Sequence, residues 1–582
     1  MKNGLRRLKS CIFNANYSLR GLHQFVRSTS LGTRLRPFSR EDFSRFSRNI
    51  SSVAFSNHEV DTRKNNSKKK FNVLASKENI LYLDLEDILK EMNLTLEDIR
   101  ISDDEIQTFK SQMNGKKKVL DDVEITHQTT EGDGIAVVLK QSYLENPDTS
   151  MGRFTILKIP KTVVGDKVMV ILGKHYQFYA DALPMIVRNS KRSLRRDSLV
   201  VCPYFSSCSG CQYQMVPYEE QLSIKRAVIK KMYSYFYPEI RDSFDRDFDL
   251  SVIGSPKQYS YRTKITPHYK YNASEVLNSL PLKIGFNNVD ASKGVVDIDF
   301  CAIASLPINA SLKNVKEKTR DAILSETYDN EKNKTKDAKK GRLRKRMGTL
   351  SLRDSMNINP YTGLFHRECV DSYKSIITEK IGKFLFQYPA NEFFQNNNDI
   401  LPLLLDYMKH HLHLNGRTPN YLIDTYCGSG FFSISLSNEV RLGGKIIGIE
   451  VSKASVRHAT QNASLNGLAV PEDIVFIEGQ SDSLFTNKEF KELEAEGENS
   501  VLIMDPSRKG SNKQFLEQIL QFRPSMIFYV SCNVATQARD LRMLHYLQDS
   551  FGVQYRIREV CGFDFFPQTK HIESVAILEI VK

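Results

Sequence analysis

The stretch VSCNVATQARDL (530–541) follows the apolar run MIFY and leads into a helical pattern, so Cys532 falls at the C-terminal tip of a buried strand. A thiol there is either a small hydrophobe of the core or a nucleophile at the edge where open α/β sheets bind their ligands. An earlier strand, in VLIMDPSRKG, ends on Asp505 with Pro506 and an Arg behind it, which sets a carboxylate at the same edge if the two strands are neighbours. As a bare turn residue, Asp505 would do no chemistry.

YLIDTYCGSGFFSISLS (421–437) reads as strand, Gly-containing turn and helix, with Gly428 and Gly430 letting the backbone approach a ligand. Glu450 closes the next strand, where an acid can accept hydrogen bonds from ribose hydroxyls. Phe431 to Ser433 follow Gly430 without a third Gly, which disfavours NAD and FAD. A mononucleoside cofactor such as S-adenosylmethionine needs no pyrophosphate cradle and fits better.

A second thiol group lies far upstream. Cys202, Cys208 and Cys211 in VCPYFSSCSGCQYQ are joined by Cys301 in DIDFCAIAS, and soft thiolates at this spacing suggest an iron-sulfur or zinc site. Between them, YSYRTKITPHY places Arg262 and Lys264 at alternating positions, either phosphate contacts or a solvated strand face.

The elements that must position these residues fill a chain of 582 residues, too long for one core. Its net charge of +14 favours a polyanionic partner, nucleic acid first. No apolar run reaches transmembrane length, so no membrane association is expected. Nine cysteines without an even framework fit a reducing compartment. Residues 1–60 form an Arg- and Ser-rich leader without an acid before Glu41 and then linker, and read as a mitochondrial transit peptide, the alternatives being a basic RNA-contacting arm or a nuclear signal. Residues 61–118 are linker and a short acidic helical stretch, 119–190 a small β-barrel, and 191–375 a mixed domain holding the cysteines and the charged run 330–348. From 376 to 582 strands and helices alternate and end in a hairpin, predicting a doubly wound, Rossmann-like α/β domain with an antiparallel edge.

From about residue 120 onward the chain resembles the RNA uracil-5-methyltransferase family, through ANEFFQNN, DTYCGSG, DPSRKG, YVSCN and GFDFFPQTKHIESV in the family's order. The resemblance implies Cys532 as nucleophile and Glu573 as general base, with Gln395, Tyr426, Glu450 and Asp505 lining the cofactor and base pocket. It implies that the β domain, through EGDGIAVV and ILKIPKTVVGDKV, is a TRAM-type RNA-binding module, and it favours a 4Fe-4S cluster over zinc on the four cysteines. One departure stands out: Phe431 sits where the family often has Asn, so no cofactor contact is expected there.

The chemistry suits those residues. Addition of a Cys532 thiolate to C6 of uracil turns C5 into a nucleophile towards a methyl sulfonium, and Glu573 then removes the C5 hydrogen so that the thiolate can leave. The base must leave its stack; Phe565 and Phe566 could stack on RNA or belong to the core, Asp505 and Gln395 could read the polar edge of uracil, and His571 orients the hairpin. The expected substrate is the T-loop uridine of tRNA, conventionally position 54, with rRNA as the near alternative and a non-catalytic RNA-binding or RNA-folding protein as the distant one. No obligate protein partner is implied.

Overall fold

Ser76 caps the first helix, Lys77–Glu91, by accepting a hydrogen bond from the Asn79 backbone N–H at 3.2 Å. Leu85, Ile88 and Leu89 of this helix and Ile99 of the short Leu96–Ile99 helix pack on Ile135 and Ile156 of the β domain. Buried Asp84 accepts from the Thr130 backbone N–H and hydroxyl and from the Tyr235 hydroxyl, and pairs with Lys231 at 3.3 Å. The acidic stretch is therefore a brace between the β domain and a helix of the central segment. The computed structural model describes residues 75–581 except 114–116, 145–151, 190–191, 241–249, 272–281, 333–345, 360 and 414–417. The leader and most of the charged run lie outside the described residues.

The β domain comprises β1 (Val119–Glu124), β2 (His127–Gln128), β3 (Gly134–Leu139), β4 (Phe154–Ile159), β5 (Asp166–His175) and β6 (Ala180–Asn189). Their ladder runs β1-β5-β6-β4-β3-β2, antiparallel except for β4–β6. An all-β domain is present, and its first and last strands in that order, β1 and β2, are one stretch of chain two residues apart: the Ile125 N–H donates to the Asp166 carbonyl of β5 and the Thr126 N–H to the Ile135 carbonyl of β3, each at 2.9 Å.

The central segment carries the Tyr218–Phe236 helix, a long Leu306–Lys332 helix, and short strands. These are β7 (Ser251–Ile253), β8 (Lys264–Ile265), β9 (His268–Tyr271), β10 (Ile284–Asn287), β11 (Val295–Asp297), β12 (Arg346–Thr349), β13 (Leu352–Ile358) and β14 (Phe365–Val370), followed by the β15 (Ile376–Ile381) and β16 (Phe384–Pro389) hairpin.

The C-terminal sheet holds β17 (Tyr421–Asp424), β18 (Lys445–Glu450), β19 (Ile474–Glu478), β20 (Ser500–Met504), β21 (Met526–Ser531), β22 (Gln554–Phe563) and β23 (Glu573–Val581). Its order is β19-β18-β17-β20-β21-β23-β22-β7. The first five strands in that order are parallel, and β23 runs antiparallel to both β21 and β22. Strand alternation splits the core between the two faces: Ile527 and Tyr529 join one cluster, Met526, Phe528 and Val530 the other. Fully burying each such large apolar side chain is worth about 1.5–3 kcal/mol, which is why helices cover both faces. The outer strand β7 comes from the central segment and could not be foreseen, since three residues carry no periodicity.

Candidate active site

The parallel strands β20 and β21 lie side by side, so Asp505 and Cys532, the residues that follow them, emerge at one edge of the sheet. Ser531 is paired with Ser574 across the antiparallel β21–β23 ladder, and one step further on each strand brings Cys532 opposite Glu573. Pro506 cannot continue a ladder and turns the chain, leaving Arg508 exposed over the same edge. Asn533 fixes this turn by donating from Nδ2 to the Arg508 carbonyl at 2.9 Å.

These groups feel one another. Burial first, then the Glu573 and Asp505 carboxylates, push the Cys532 thiol up to about 12, while Arg508, hydrogen-bonded to the thiol, pulls the other way. Burial pushes Glu573, 6% exposed, up to about 8, with Asp505 adding to the shift and Arg508 opposing it. Asp505 rises to about 7 through burial and the Asp424 carboxylate. Cys532 and Glu573 thus hold their protons near neutral pH, and Arg508 is the neighbouring cation that favours ionisation of both. Sequence reading noted an Arg behind Asp505 without giving it a role; its position two residues after a turn-forming Pro was the available signal.

The loop before Glu573 is anchored from the central segment. Lys225 and Asp564 form a fully buried ion pair at 2.6 Å, Lys225 also donates to the Phe566 carbonyl, and Tyr218 donates to Asp564 at 3.0 Å. The Gln212 and Tyr213 backbone N–H groups both donate to the Gln568 carbonyl at 2.9 Å. Such a buried pair stabilises weakly in net terms, but loss of either partner strands a charge, so it specifies the loop's position.

The cofactor side is built on β17. Gly430 is in the left-handed region, φ 88°, and a Cβ there would meet the Ile434 side chain at 2.9 Å. Gly428, φ 53°, faces open space, with nothing within 4 Å of a Cβ. Its N–H donates to Glu450 at 3.2 Å, and the other Glu450 oxygen accepts from the Ser452 N–H at 2.9 Å, which aims the carboxylate while leaving lone pairs for hydroxyl donors. Asp424 accepts from the Ser433 N–H and hydroxyl and from the Tyr426 backbone N–H, and the Ser429 hydroxyl is buried without a partner. An open glycine turn, an aimed acid and an orphaned hydroxyl fit a bound adenosyl group, which S-adenosylmethionine has. Asp424 was not singled out from sequence, although a carboxylate at a strand end before a Gly turn was the clue.

The remaining expected residues divide. Gln395 is half-buried in the loop after β16. Tyr426 is half-buried with its ring edge-on to Phe515, 5.8 Å away, in contact with the core. Phe431 is core, packed on Phe386 and Phe394. Phe565 is 1% exposed and so not a stacking platform, whereas half-buried Phe566 carries the Arg262 guanidinium 5.5 Å from its ring centre. Lys264 is not a free phosphate contact: its ammonium donates to the Ala390 carbonyl at 3.3 Å. His571 packs near Phe566 and is pushed down to about 3, chiefly by burial, so it is neutral.

The second thiol group gathers in the central segment. Cys202, Cys208, Cys211 and Cys301 are free and share one neighbourhood, but no group of three or more His, Cys, Asp or Glu among the described residues is arranged to hold a metal. Burial raises Cys211 to about 11 and Cys301 to about 12, and the Lys161 ammonium, buried beside Cys202, Cys208 and Cys211, donates to the Cys211 carbonyl.

A parallel sheet with an antiparallel strand inserted before its end, a nucleoside-binding glycine turn and a thiol beside a carboxyl define a methyltransferase-type α/β fold. Pyrococcus abyssi tRNA (uracil-54, C5)-methyltransferase, solved in complex with S-adenosyl-L-homocysteine, shares that fold, with a TM-score of 0.51 and 19% identity over 79% of this chain and 100% of that one. The family model for tRNA (uracil-5-)-methyltransferase matches residues 364–581. The tRNA (uracil(54)-C(5))-methyltransferase of Schizosaccharomyces pombe is 35% identical, over 78% of this chain and 77% of its own. That of Saccharomyces cerevisiae is 31% identical over 86% of this chain and 80% of its own. The chain belongs to the tRNA (uracil-5-)-methyltransferase family.

Proposed function

We propose that this protein methylates C5 of the T-loop uridine of tRNA, the position numbered 54 in the names of its yeast relatives, through a covalent Cys532 adduct. S-adenosylmethionine supplies the methyl group as an electrophilic sulfonium. The observation that carries the reading is the strand register that sets Cys532 opposite Glu573, with Asp505 and Arg508 coupled to both.

Cys532 loses its proton to solvent and its sulfur bonds to C6, the C5–C6 π pair moving onto C5 and the C4 oxygen. Arg508 offsets the anionic charge that builds at the thiolate. After C5 has gained the methyl group, Glu573 takes the C5 proton, and the electrons of that C–H bond re-form the double bond as the C6–S bond breaks. Asp505 and Gln395 suit the polar edge of uracil. Phe566 under Arg262 is the platform for a neighbouring base. On the β domain, the stacked Tyr176 and Tyr179 rings, 4.5 Å apart, carry Lys174 and Lys158 within 4.6 Å and 5.3 Å of their centres. This aromatic and basic group supports an RNA-docking role of the TRAM type.

Incubation with S-adenosylmethionine and a tRNA transcript bearing 5-fluorouridine should leave a denaturant-resistant protein-RNA adduct, since fluorine cannot leave C5 as a cation. Absence of an adduct from folded protein that binds both the cofactor and the tRNA would refute the covalent route.

A further inference from the structure

The loop from Ala390 to Asn398 carries Gln395 and contacts residues that flank both the cofactor turn and the loop before Glu573. On the cofactor side, Phe394 stacks on Tyr388 at 4.5 Å and meets Phe431, the residue after Gly430, at 5.8 Å. Ser455, in the helix that follows Glu450, donates to the Glu392 carboxylate at 2.8 Å. On the catalytic side, Asn397 donates from Nδ2 to the carbonyl of Phe565, in the loop leading to Glu573, and to Ser255, each at 3.0 Å. The segment belongs to no helix or strand, so its backbone carbonyls need partners from elsewhere.

One side chain supplies three of them. Arg353 on β13, fully buried at 0% exposure, donates from Nη1 to the Ala390 carbonyl at 3.2 Å and the Glu392 carbonyl at 2.7 Å. Its Nη2 donates to the Phe394 carbonyl at 3.4 Å. Its guanidinium lies 4.7 Å from the centre of the Tyr388 ring, the ring on which Phe394 stacks. A buried cation placed only for stability needs acceptors from anywhere around it; here the three carbonyls are alternate residues of one short segment, and three residues beyond the last of them is the anchored Asn397. The planar fork reads the loop's shape, which a single ammonium cannot do.

We propose that Arg353 is a positioning residue for methyl transfer: by gripping the carbonyls of Ala390, Glu392 and Phe394 it sets Gln395 and the cofactor turn in register with Cys532 and Glu573. The inference rests on the methyltransferase reading above. It assigns to a strand of the central segment the task of aligning the two halves of the site, and that task matters because a misplacement of about 1 Å costs a rate of roughly 10²-fold.

The test is Arg353→Lys, which keeps the cation but cannot span three acceptors, compared with the wild type per folded molecule. Single-turnover methyl transfer to tRNA should fall by roughly 10²-fold. Affinity for S-adenosylhomocysteine, read by calorimetry, should fall by much less, and tRNA affinity should not change. Arg353→Ala should regain part of the lost rate on addition of low concentrations of methylguanidinium, which the wild type ignores. Where Arg353→Lys does not fold, Arg353→Gln takes its place, keeping two N–H donors. Transfer at the wild-type rate in the folded variant, or a loss matched by an equal loss of cofactor affinity, overturns the proposal. A wild-type protein that itself transfers no methyl group and forms no 5-fluorouridine adduct would instead count against the proposed function.

Discussion

Two groups of thiols sit half-buried in this protein, in different electrostatic surroundings. Cys532 and Cys301 are both raised to about 12, mainly by burial. Around Cys532, strand register delivers a carboxyl, and Arg508, exposed and hydrogen-bonded to the thiol, opposes the rise. Around Cys301 the largest influence after burial is another thiol, Cys211, and the cation of this group, Lys161, is buried beside Cys202, Cys208 and Cys211 and donates to the Cys211 carbonyl. A thiol becomes a reagent through its neighbours and its access to solvent, and close spacing in the sequence supplies neither.

The largest break in this comparison should come from Cys532→Ala. Methylation should fall at least 10³–10⁴-fold, to about the level left when any nucleophile is removed, while tRNA affinity is retained; filter binding beside a methyl-incorporation assay checks both. Glu573→Gln should follow, with turnover reduced roughly 10²–10⁴-fold. Its distinguishing mark is accumulation of a methylated protein-RNA adduct, seen on a denaturing gel with unmodified tRNA, because the C5 proton is no longer removed.

The same substitution should be visible in stability. Glu573 in the folded protein titrates near 8, above its ordinary 4.5, so folding holds the proton and stability falls as pH rises between these values. Glu573→Gln removes that loss. Its melting midpoint should exceed the wild type's above pH 8 by a few degrees and match it near pH 4 to 5, in scans across that range. Equal midpoints at alkaline pH would show that the carboxyl is not buried as described. In the wild type, the step that needs ionised Glu573 should quicken as pH rises towards 8.

The smallest effect is expected from Cys211→Ser and Cys301→Ser. Each should lower stability by about 1 kcal/mol while leaving activity per folded molecule within about twofold, as judged by denaturant titration alongside initial rates. Loss of activity together with loss of bound iron or zinc would reverse the contrast between the two thiol groups.

The catalytic edge was legible because it obeys short rules. Strands with apolar runs end on Asp505, Cys532 and Glu450, and glycines punctuate the turn at Gly428 and Gly430, so local pattern and sheet topology together put them at one edge. The pairing of Cys532 with Glu573 needed the β21–β23 register, which the resemblance implied and single-sequence periodicity could not give. What escaped was long-range. Lys264 looked like a phosphate contact until a loop over a hundred residues away placed the Ala390 carbonyl on it, and Phe565 cannot be told from Phe566 when only one of two adjacent rings faces the core. Arg353 gave no signal at all, since an Arg in a strand reads as surface until the carbonyls it holds are known.

The most direct measurement is peptide mapping by mass spectrometry of the adduct formed with 5-fluorouridine tRNA and S-adenosylmethionine. The expected result is one cross-linked peptide, with the nucleotide on Cys532 and a methyl group on the trapped base. A cross-link on Cys202, Cys208, Cys211 or Cys301, or a methylated product formed without any adduct by a Cys532→Ala variant, would contradict the assignment of the catalytic thiol.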